Sequence, residues 1–316
     1  MTIKPEFISL TTSDNLDLPG LFFQPEVKTN KAIIFLHGCG SSSVFYKTKK
    51  MNLFAQELAK IGYSFLAFNN RGAHYLKKFS RGVGEEKVEV MKGTATEVIA
   101  ETVFDINSAL DSLKARGYEH ILLLGESTGA NKICVYQHFV PNNQIAGTIL
   151  VGGGDDTGLW WKMLAENAEQ FYREAEKRVL AYQQNPSPEN QRKKEELIMT
   201  DLSHWIMSYQ GLYDVMNPDG DYNTFPFTEF TTDWKPSSQP LFRYFQEISQ
   251  PTFILYGELD EYAGCSPAQA AQILKNIHPN PQLITTRVVP GCDHGFKDTE
   301  EKEIEAVVNW IQKTFL

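Results

Sequence analysis

Short apolar segments that alternate with helix-patterned stretches are the feature of this chain that most limits its fold. The apolar segments cover residues 31–37, 64–68, 120–125, 145–151, 252–257 and 283–289. Few polar residues interrupt them, as is typical of strands buried on both faces. Helix-spaced apolar positions occupy 52–61, 95–116, 130–139, 267–277 and 299–315. This alternation predicts an α/β fold with a doubly wound, mostly parallel sheet.

The regular alternation is absent at two places. Before the first central strand, residues 6–11 and 16–23 flank the polar turn Ser13-Asp14-Asn15, which predicts an N-terminal antiparallel hairpin. Between 152 and 250 about a hundred residues carry helical patterns and aromatic residues without a convincing strand. We therefore expect an α/β core formed by residues 1–151 and 251–316, and a helical cap or lid formed by residues 152–250.

The expected cap begins with two helices. Apolar residues recur three to four positions apart from 159 to 183, which predicts one long amphipathic helix. The sequence Asn185-Pro186-Ser187-Pro188 ends it and starts another helix, with Ser187 as N-cap and Pro188 at the first helical position. We expect this second helix to run to about residue 209.

A five-residue motif joins a predicted strand to a predicted helix. Gly125-Glu126-Ser127-Thr128-Gly129 directly follows the apolar segment 120–124 and precedes the helical stretch 130–139. Small residues two positions before and after the serine are needed because the turn is so sharp that a Cβ there would collide with the strand or the helix. A G-x-S-x-G motif in this context makes Ser127 the candidate nucleophile.

A serine hydroxyl needs a base to remove its proton and a carboxylate to orient that base. Asp260 lies three residues beyond the strand segment 252–257, and His294 follows the strand segment 283–289 through a short loop. Both positions suit the order serine, acid, histidine. Asp155 and Asp156, just beyond the segment 145–151, remain alternative candidates for the acid.

The reaction also develops negative charge on the substrate carbonyl oxygen, which two backbone N–H groups can stabilise. One is expected from Thr128, immediately after the nucleophile. The other is expected from the loop that follows the first central strand, where we predict the N–H of Cys39 in the sequence His37-Gly38-Cys39-Gly40.

Five motifs together resemble the α/β-hydrolase superfamily, in particular its carboxylesterases and lipases. They are His37-Gly38, Asn70-Arg71-Gly72, Gly125-Glu126-Ser127-Thr128-Gly129, Gly257-x-x-Asp260 and Asp293-His294-Gly295. The resemblance spans nearly the whole chain. It implies Ser127 as nucleophile, Asp260 as acid, His294 as base, and the N–H groups of Cys39 and Thr128 as the oxyanion hole. Glu126 departs from the pattern, since many relatives have histidine before the serine.

Arg71 follows the strand segment 64–68 and has two possible roles. Its planar guanidinium suits a clamp for a substrate carboxylate. We expect it instead to brace neighbouring loops, the commoner role of an arginine at this place in such folds.

The expected activity is that of a carboxylesterase acting on an apolar or aromatic ester. The cap segment is rich in aromatic residues, with a surplus between 209 and 234 that suits a substrate pocket. Packing of the cap onto the core would account for these residues equally well. Acyl transfer, amide cleavage and a non-catalytic small-molecule receptor are alternative functions. No metal or organic cofactor is implied.

Composition limits the partners and the compartment. The net charge of -9 argues against nucleic-acid binding, which needs clustered lysine and arginine. Four widely spaced cysteines are expected to be reduced thiols, namely Cys39, Cys134, Cys265 and Cys292. The first ten residues lack the pattern of a signal peptide, and no apolar run approaches the roughly 20 residues that span a bilayer. We expect a cytoplasmic protein without a membrane span.

Overall fold

The main sheet has eight strands in the order β1-β2-β4-β3-β7-β8-β9-β10. The structure, a computed structural model, describes residues 3–82, 88–199, 202 and 204–316. The strands of this sheet are β1 Pro5–Thr11, β2 Asp17–Phe23, β3 Lys31–Leu36, β4 Ser64–Phe68, β7 His120–Glu126, β8 Ile145–Val151, β9 Thr252–Gly257 and β10 Ile284–Val289. Strands β5 (Lys77–Arg81) and β6 (Val88–Lys92) form a separate antiparallel pair.

The pairing of the strands confirms the predicted α/β architecture. Strand β1 pairs with β2, and β2 with β4, in antiparallel orientation. From β4 through β3, β7, β8 and β9 to β10 every neighbouring pair is parallel. The carboxyl ends of six strands therefore lie at the same edge of the sheet, where loops can bring distant residues together.

Helices cover both faces of the sheet because side chains alternate along each buried strand. The helices of the core are α1 Thr48–Lys60, α2 Thr102–Ala115, α3 Thr128–Phe139, α10 Pro267–Ile277 and α11 Glu300–Phe315. Phe54 of α1 and Trp310 of α11 pack on the face that carries Ile33 and Phe35. The other face of β3, with Ile34, packs in the cluster that contains residues of α2, α3 and α10.

The helical prediction for residues 95–116 needs correction at its start. Helix α2 begins only at Thr102, and two short 3-10 turns, Thr94–Thr96 and Ile99–Glu101, precede it. Between these turns the backbone is extended, with ψ 135° at Glu97 and 112° at Val98. The N–H of Ile99, which in a helix would donate to the carbonyl of Ala95, donates to Asp214 at 2.8 Å.

Six helices and no strand occupy the described residues between β8 and β9. They are α4 Asp156–Leu164, α5 Ala168–Gln184, α6 Pro188–Glu195, α7 Tyr209–Met216, α8 Phe227–Thr231 and α9 Arg243–Gln246. We call residues 152–251 the helical insertion. None of the helices that the structure describes is long and apolar enough to cross a membrane.

Two predicted helices of the insertion were wrong in extent. The expected helix 159–183 is divided by a 3-10 turn, Ala165–Asn167, where Ala165 has φ +47°, so that α4 and α5 can each pack against α7. Helix α6 begins as predicted, with Ser187 accepting from the N–H of Asn190, but it ends at Glu195 rather than near 209. After it, Leu197 forms an isolated antiparallel bridge with Ser208, and the N–H of Ile198 donates to the carbonyl of Met207 at 2.8 Å.

The β5–β6 hairpin was not predicted from the sequence. Its strands carry many charged residues, among them Lys77, Lys78, Arg81, Glu89 and Lys92, which obscure the apolar alternation of a strand. The side chain of Phe79 is buried against the core cluster, so the hairpin is anchored by one side.

Arg71 braces three segments, as expected. Its Nε donates to Asp105 of α2 at 2.8 Å, its Nη2 to Asp14 of the β1–β2 turn at 3.0 Å, and its Nη1 to Glu101 at 2.8 Å. The side chain is only 1% exposed. These carboxylates outweigh the effect of burial and raise the pKa of Arg71, which stays charged.

Replacing Arg71 with alanine should destabilise the protein by about 3–5 kcal/mol, because the buried Asp105 carboxylate would lose its ion pair. Urea unfolding followed by circular dichroism measures this change. Arg81→Ala is the matched control, since Arg81 is about half exposed and lies 3.6 Å from Asp14, and it should cost less than about 1 kcal/mol. Equal losses in the two variants would contradict the bracing role.

Candidate active site

Ser127 stands on a sharp turn between β7 and α3. Its backbone has φ +58° and ψ -131°, a conformation that non-glycine residues rarely adopt. A Cβ added to Gly129 would lie 2.2 Å from the carbonyl oxygen of Leu36, and one added to Gly125 would lie 2.2 Å from that of Gly129. Both positions thus require glycine because a Cβ would collide with the backbone. The strained turn exposes the serine side chain.

His294 lies between Asp260 and Ser127. Its Nδ1 is 2.9 Å from Oδ1 of Asp260, and its Nε2 is 2.9 Å from Oγ of Ser127. Because a carboxylate only accepts hydrogen bonds, Nδ1 carries the proton when Asp260 is ionised, and Nε2 is then left to accept from the serine hydroxyl. Oδ1 of Asp260 also accepts from the N–H of Tyr262 at 2.9 Å. The structure thus brings together three residues that are far apart in sequence.

The surroundings of His294 favour its protonated form. Burial by itself lowers the pKa of the imidazole, but the hydrogen bond and charge of Asp260, with smaller effects of Glu126 and Glu261, raise it above the usual value. The ring of Tyr262 lies against the imidazole, with the ring centroids 4.7 Å apart. The raised pKa makes His294 a stronger base, which suits it to take up a proton from the serine.

The two alternative acids have other partners. Asp155 caps helix α4 by accepting from the N–H of Gly158 at 2.8 Å, and it also accepts from the N–H of Thr228 at 2.6 Å. Asp156 accepts from Oγ1 of Thr128 at 2.9 Å. The hydrogen-bond partner of the His294 Nδ1 atom is Asp260.

A cavity of about 380 Å³ opens above Ser127. It is lined by Cys39, Ser127, Thr128, Asp156, Leu159, Trp160, Met163, Trp205, Val215, Tyr222, Tyr262 and His294. Four of the five residues predicted for catalysis or the oxyanion hole line the cavity, and the fifth, Asp260, contacts His294. Burial, followed by neighbouring carboxylates, raises the pKa of the Cys39 thiol, so this side chain is neutral and no rival nucleophile.

The aromatic lining differs from the expectation for residues 209–234. Tyr222 is the aromatic residue of that stretch that reaches the cavity, whereas Phe225 and Phe227 are buried and stack on each other. Trp160 and Trp205 come from elsewhere in the insertion. The ring contacts of Tyr213 with Tyr172, of Phe225 with Phe245 and of Trp234 with Trp161 lie within the insertion. Most aromatic residues between 209 and 234 thus pack the insertion itself, and sequence composition could not separate packing from pocket lining.

A buried charge cluster lies behind Ser127 and was missed in the sequence. Glu126 contacts the Nζ atoms of Lys47 and Lys50 at 2.7 and 2.9 Å, and Lys50 also contacts Glu303 of α11 at 2.6 Å. The Nζ atom of Lys50 is 3.4 Å from the carbonyl of Gly295, next to His294. Burial opposes the charged form of Glu126, but the two lysines lower its pKa, whereas burial raises the pKa of Glu303 to about 7.

Among the described residues no group of three or more histidine, cysteine or acidic residues is arranged to hold a metal ion. The arrangement of Ser127, His294 and Asp260 suits proton transfer. A hydroxyl, an imidazole and a carboxylate in series can activate the hydroxyl as a nucleophile at the floor of an apolar cavity.

Comparison with known proteins identifies a family and several similar folds. A family model described as serine aminopeptidase, S33, matches residues 27–300. Est1E from Butyrivibrio proteoclasticus, solved with ferulic acid bound, superposes with a TM-score of 0.63 at 14% identity, covering 97% of this chain and 98% of the other. An esterase from Pyrococcus furiosus superposes with a TM-score of 0.55 at 16% identity, covering 98% and 91%.

A third similar structure is an acylaminoacyl peptidase from Pyrococcus horikoshii, with a TM-score of 0.55 and 15% identity. It covers 99% of this chain but 42% of the peptidase chain. No curated protein matches the sequence significantly. At these identities the similar structures establish the fold.

Replacing Lys50 with methionine should destabilise the protein by about 3–5 kcal/mol at pH 7.5, because Glu126 and Glu303 would remain buried without their shared cation. The loss should be smaller at pH 5, where one carboxyl can take up a proton in the folded state. Urea unfolding at the two pH values measures both effects. Lys49→Met, which removes a lysine that is 62% exposed, should change stability by less than about 1 kcal/mol.

Replacing Asp260 with asparagine should lower the pKa of His294, since the variant loses the hydrogen-bonded charge that raises it. The chemical shifts of the imidazole followed by NMR over pH measure this directly. Glu261→Gln, which removes an exposed and more weakly acting carboxylate, should give a smaller decrease. An unchanged His294 titration in the Asp260 variant would show that the two groups do not interact in solution.

Proposed function

Since this chain belongs to the α/β-hydrolase family described as serine aminopeptidase, S33, we propose that it is a serine hydrolase and, more specifically, a carboxylesterase. The observation that carries this proposal is the pair of 2.9 Å contacts by which His294 joins Asp260 to Ser127. In this proposal the helical insertion forms the cap of the active site, and the remaining residues form the α/β core.

The reaction would proceed through an acyl-enzyme. Ser127 Oγ attacks the ester carbon while its proton passes to Nε2 of His294, and Asp260 stabilises the resulting imidazolium. His294 then gives the proton to the leaving alkoxide as the ester C–O bond breaks. Water then attacks the acyl carbon while His294 takes up its proton. His294 returns that proton to Ser127 Oγ as the bond between Oγ and the acyl carbon breaks, which releases the acid and restores Ser127.

Negative charge on the carbonyl oxygen would be stabilised by the backbone N–H groups of Cys39 and Thr128. Thr128 is the first residue of α3, so its N–H lies at the positive end of the helix dipole. Cys39 and Thr128 border the same cavity as Ser127, which supports this assignment. Removal of one such donor typically costs about 10²-fold to 10³-fold in rate.

The cavity supports an ester with an apolar or aromatic group. Trp160, Trp205 and Tyr222 supply aromatic surface, and Leu159, Met163 and Val215 supply aliphatic surface. A volume of about 380 Å³ suits a small molecule rather than a protein chain.

Amide cleavage is the second candidate, because the matching family is described as an aminopeptidase and one similar structure is an acylaminoacyl peptidase. Both reactions use the same residues and the same acyl-enzyme. They differ in the leaving group, so p-nitrophenyl esters and p-nitroanilides with one acyl group would distinguish them. We expect faster turnover of the esters.

Replacing Ser127 with alanine should abolish labelling by a fluorophosphonate probe and lower the hydrolysis of p-nitrophenyl esters by at least about 10³-fold. Mass spectrometry of the labelled wild type should place the adduct on Ser127. Ser9→Ala, at an exposed position of β1, should label and hydrolyse like the wild type. Wild-type protein that neither labels nor hydrolyses esters of any chain length would instead favour a small-molecule receptor.

A further inference from the structure

Asp156 places a carboxyl group in the wall of the cavity above Ser127. Among the described residues its hydrogen-bond partner is the hydroxyl of Thr128, at 2.9 Å. Thr128 directly follows Ser127 and borders the same cavity. A group bound at the Asp156 carboxyl would therefore lie close to the carbon atom that Ser127 attacks.

The neighbouring charges leave Asp156 without a counterion. Lys132 of α3 is a cation whose charge lowers the pKa of Asp156. The Nζ atom of Lys132, however, contacts Glu97 at 2.6 Å and Asn70 at 3.1 Å. Asp155 adds a second negative charge, and His294 faces Asp156 from the loop after β10. In the part of the chain that the structure describes, Asp156 makes no ion pair.

Two further side chains that line the cavity, Tyr222 and Cys39, carry no charge. The hydroxyl of Tyr222 lies 3.4 Å from Glu97, which is paired with Lys132, and burial raises the pKa of the Cys39 thiol. Asp156 is the first residue of α4, whose amino end favours a negative charge, but a nearby cation would compensate a carboxylate in an apolar cavity more fully. Burial, with a further contribution from Asp155, raises the pKa of Asp156 to about 7.

Aromatic rings line the same cavity. The ring centroids of Trp160 and Trp205 are 5.7 Å apart, and Tyr222 also borders the cavity. Aromatic faces attract cations through the negative potential above the ring, most strongly where water is excluded. A cavity that combines an unpaired carboxylate with aromatic faces therefore suits a bound ammonium group. A bound neutral hydroxyl would leave the negative charge of the carboxylate uncompensated.

We propose that Asp156 is a specificity-determining residue that selects esters carrying an ammonium group near the scissile bond. This inference rests on the proposed serine hydrolase function. A bound ammonium ion would replace the proton on Asp156 and compensate its charge. With a neutral ester, an ionised Asp156 would instead repel the negative charge that develops on the carbonyl oxygen.

Two pairs of isosteric esters test the proposal, because a quaternary nitrogen and a quaternary carbon have nearly the same shape. The first pair is p-nitrophenyl 4-(trimethylammonio)butyrate and p-nitrophenyl 5,5-dimethylhexanoate, which differ in the acyl group. The second is choline butyrate and 3,3-dimethylbutyl butyrate, which differ in the alcohol. The measured quantity is the ratio of kcat/KM for the charged ester to that for its neutral partner.

We expect this ratio to reach about tenfold above pH 8 for at least one pair, in the range of a desolvated cation–π contact. It should fall as the pH decreases through about 7, where Asp156 takes up a proton. Both esters of a pair need neutral His294, so the histidine titration cancels in the ratio. The trimethylammonium group does not titrate, so the remaining pH dependence belongs to the enzyme.

Asp156→Asn keeps an oxygen that can accept from Thr128 but removes the charge, and it should bring the ratio to about 1 at every pH. Asp156→Glu should retain a preference for the charged ester. Glu261→Gln is the control, since it removes an exposed carboxylate outside the cavity and should leave the ratio unchanged. Thermal unfolding and fluorophosphonate labelling of each variant verify that it is folded.

The possible outcomes separate the two proposals. Wild-type enzyme that labels and hydrolyses the neutral esters, but shows a ratio near or below 1 for both pairs, would overturn the role of Asp156 and leave the hydrolase function standing. A preference that survives in Asp156→Asn would assign it to other residues and also overturn the proposal. Absence of both labelling and hydrolysis would refute the hydrolase function, and the inference with it.

Discussion

The close approach of helix α3 to strands β3 and β7 is the constraint on which the site depends. Gly129 lies so near the carbonyl of Leu36 that any side chain would collide with it, and Gly125 is equally crowded by Gly129. Ser127, between these two glycines, has the strained φ of +58°. The buried sheet on both sides holds the strain in place, because no relaxation is possible without moving packed strands.

Buried charges around this turn are organised in two different ways. Behind the serine, Glu126 is fully compensated by Lys47 and Lys50, and Lys50 extends the contact to Glu303 on the C-terminal helix. In front of it, Asp156 faces the cavity without a cation. The first arrangement connects the serine turn to α1, α11 and the loop of His294. In the second, we propose, a cationic group of the substrate compensates the charge of Asp156.

Sequence reasoning located the central strands to within one residue, because most of them are short apolar runs buried on both faces, whereas the edge strand β10 has exposed residues. It also selected Ser127, Asp260 and His294, which the fold then brings into contact. It did not find the pairing of Lys50 with Glu303, since the partners are far apart in sequence and look like ordinary surface charges. The break at Ala165 and the early end of α6 follow from packing onto α7 and from the pairing of Ile198, which helix periodicity does not encode.

The helical insertion leaves the sheet at the carboxyl end of β8 and returns at the amino end of β9, the neighbouring parallel strand. Its two attachment points are thus separated by the length of a strand, roughly 20 Å. The two ends of the insertion therefore do not form a single hinge at one edge of the sheet. The insertion is thus anchored at both ends of the sheet, and a rotation of the whole insertion as one rigid body would have to move both anchors.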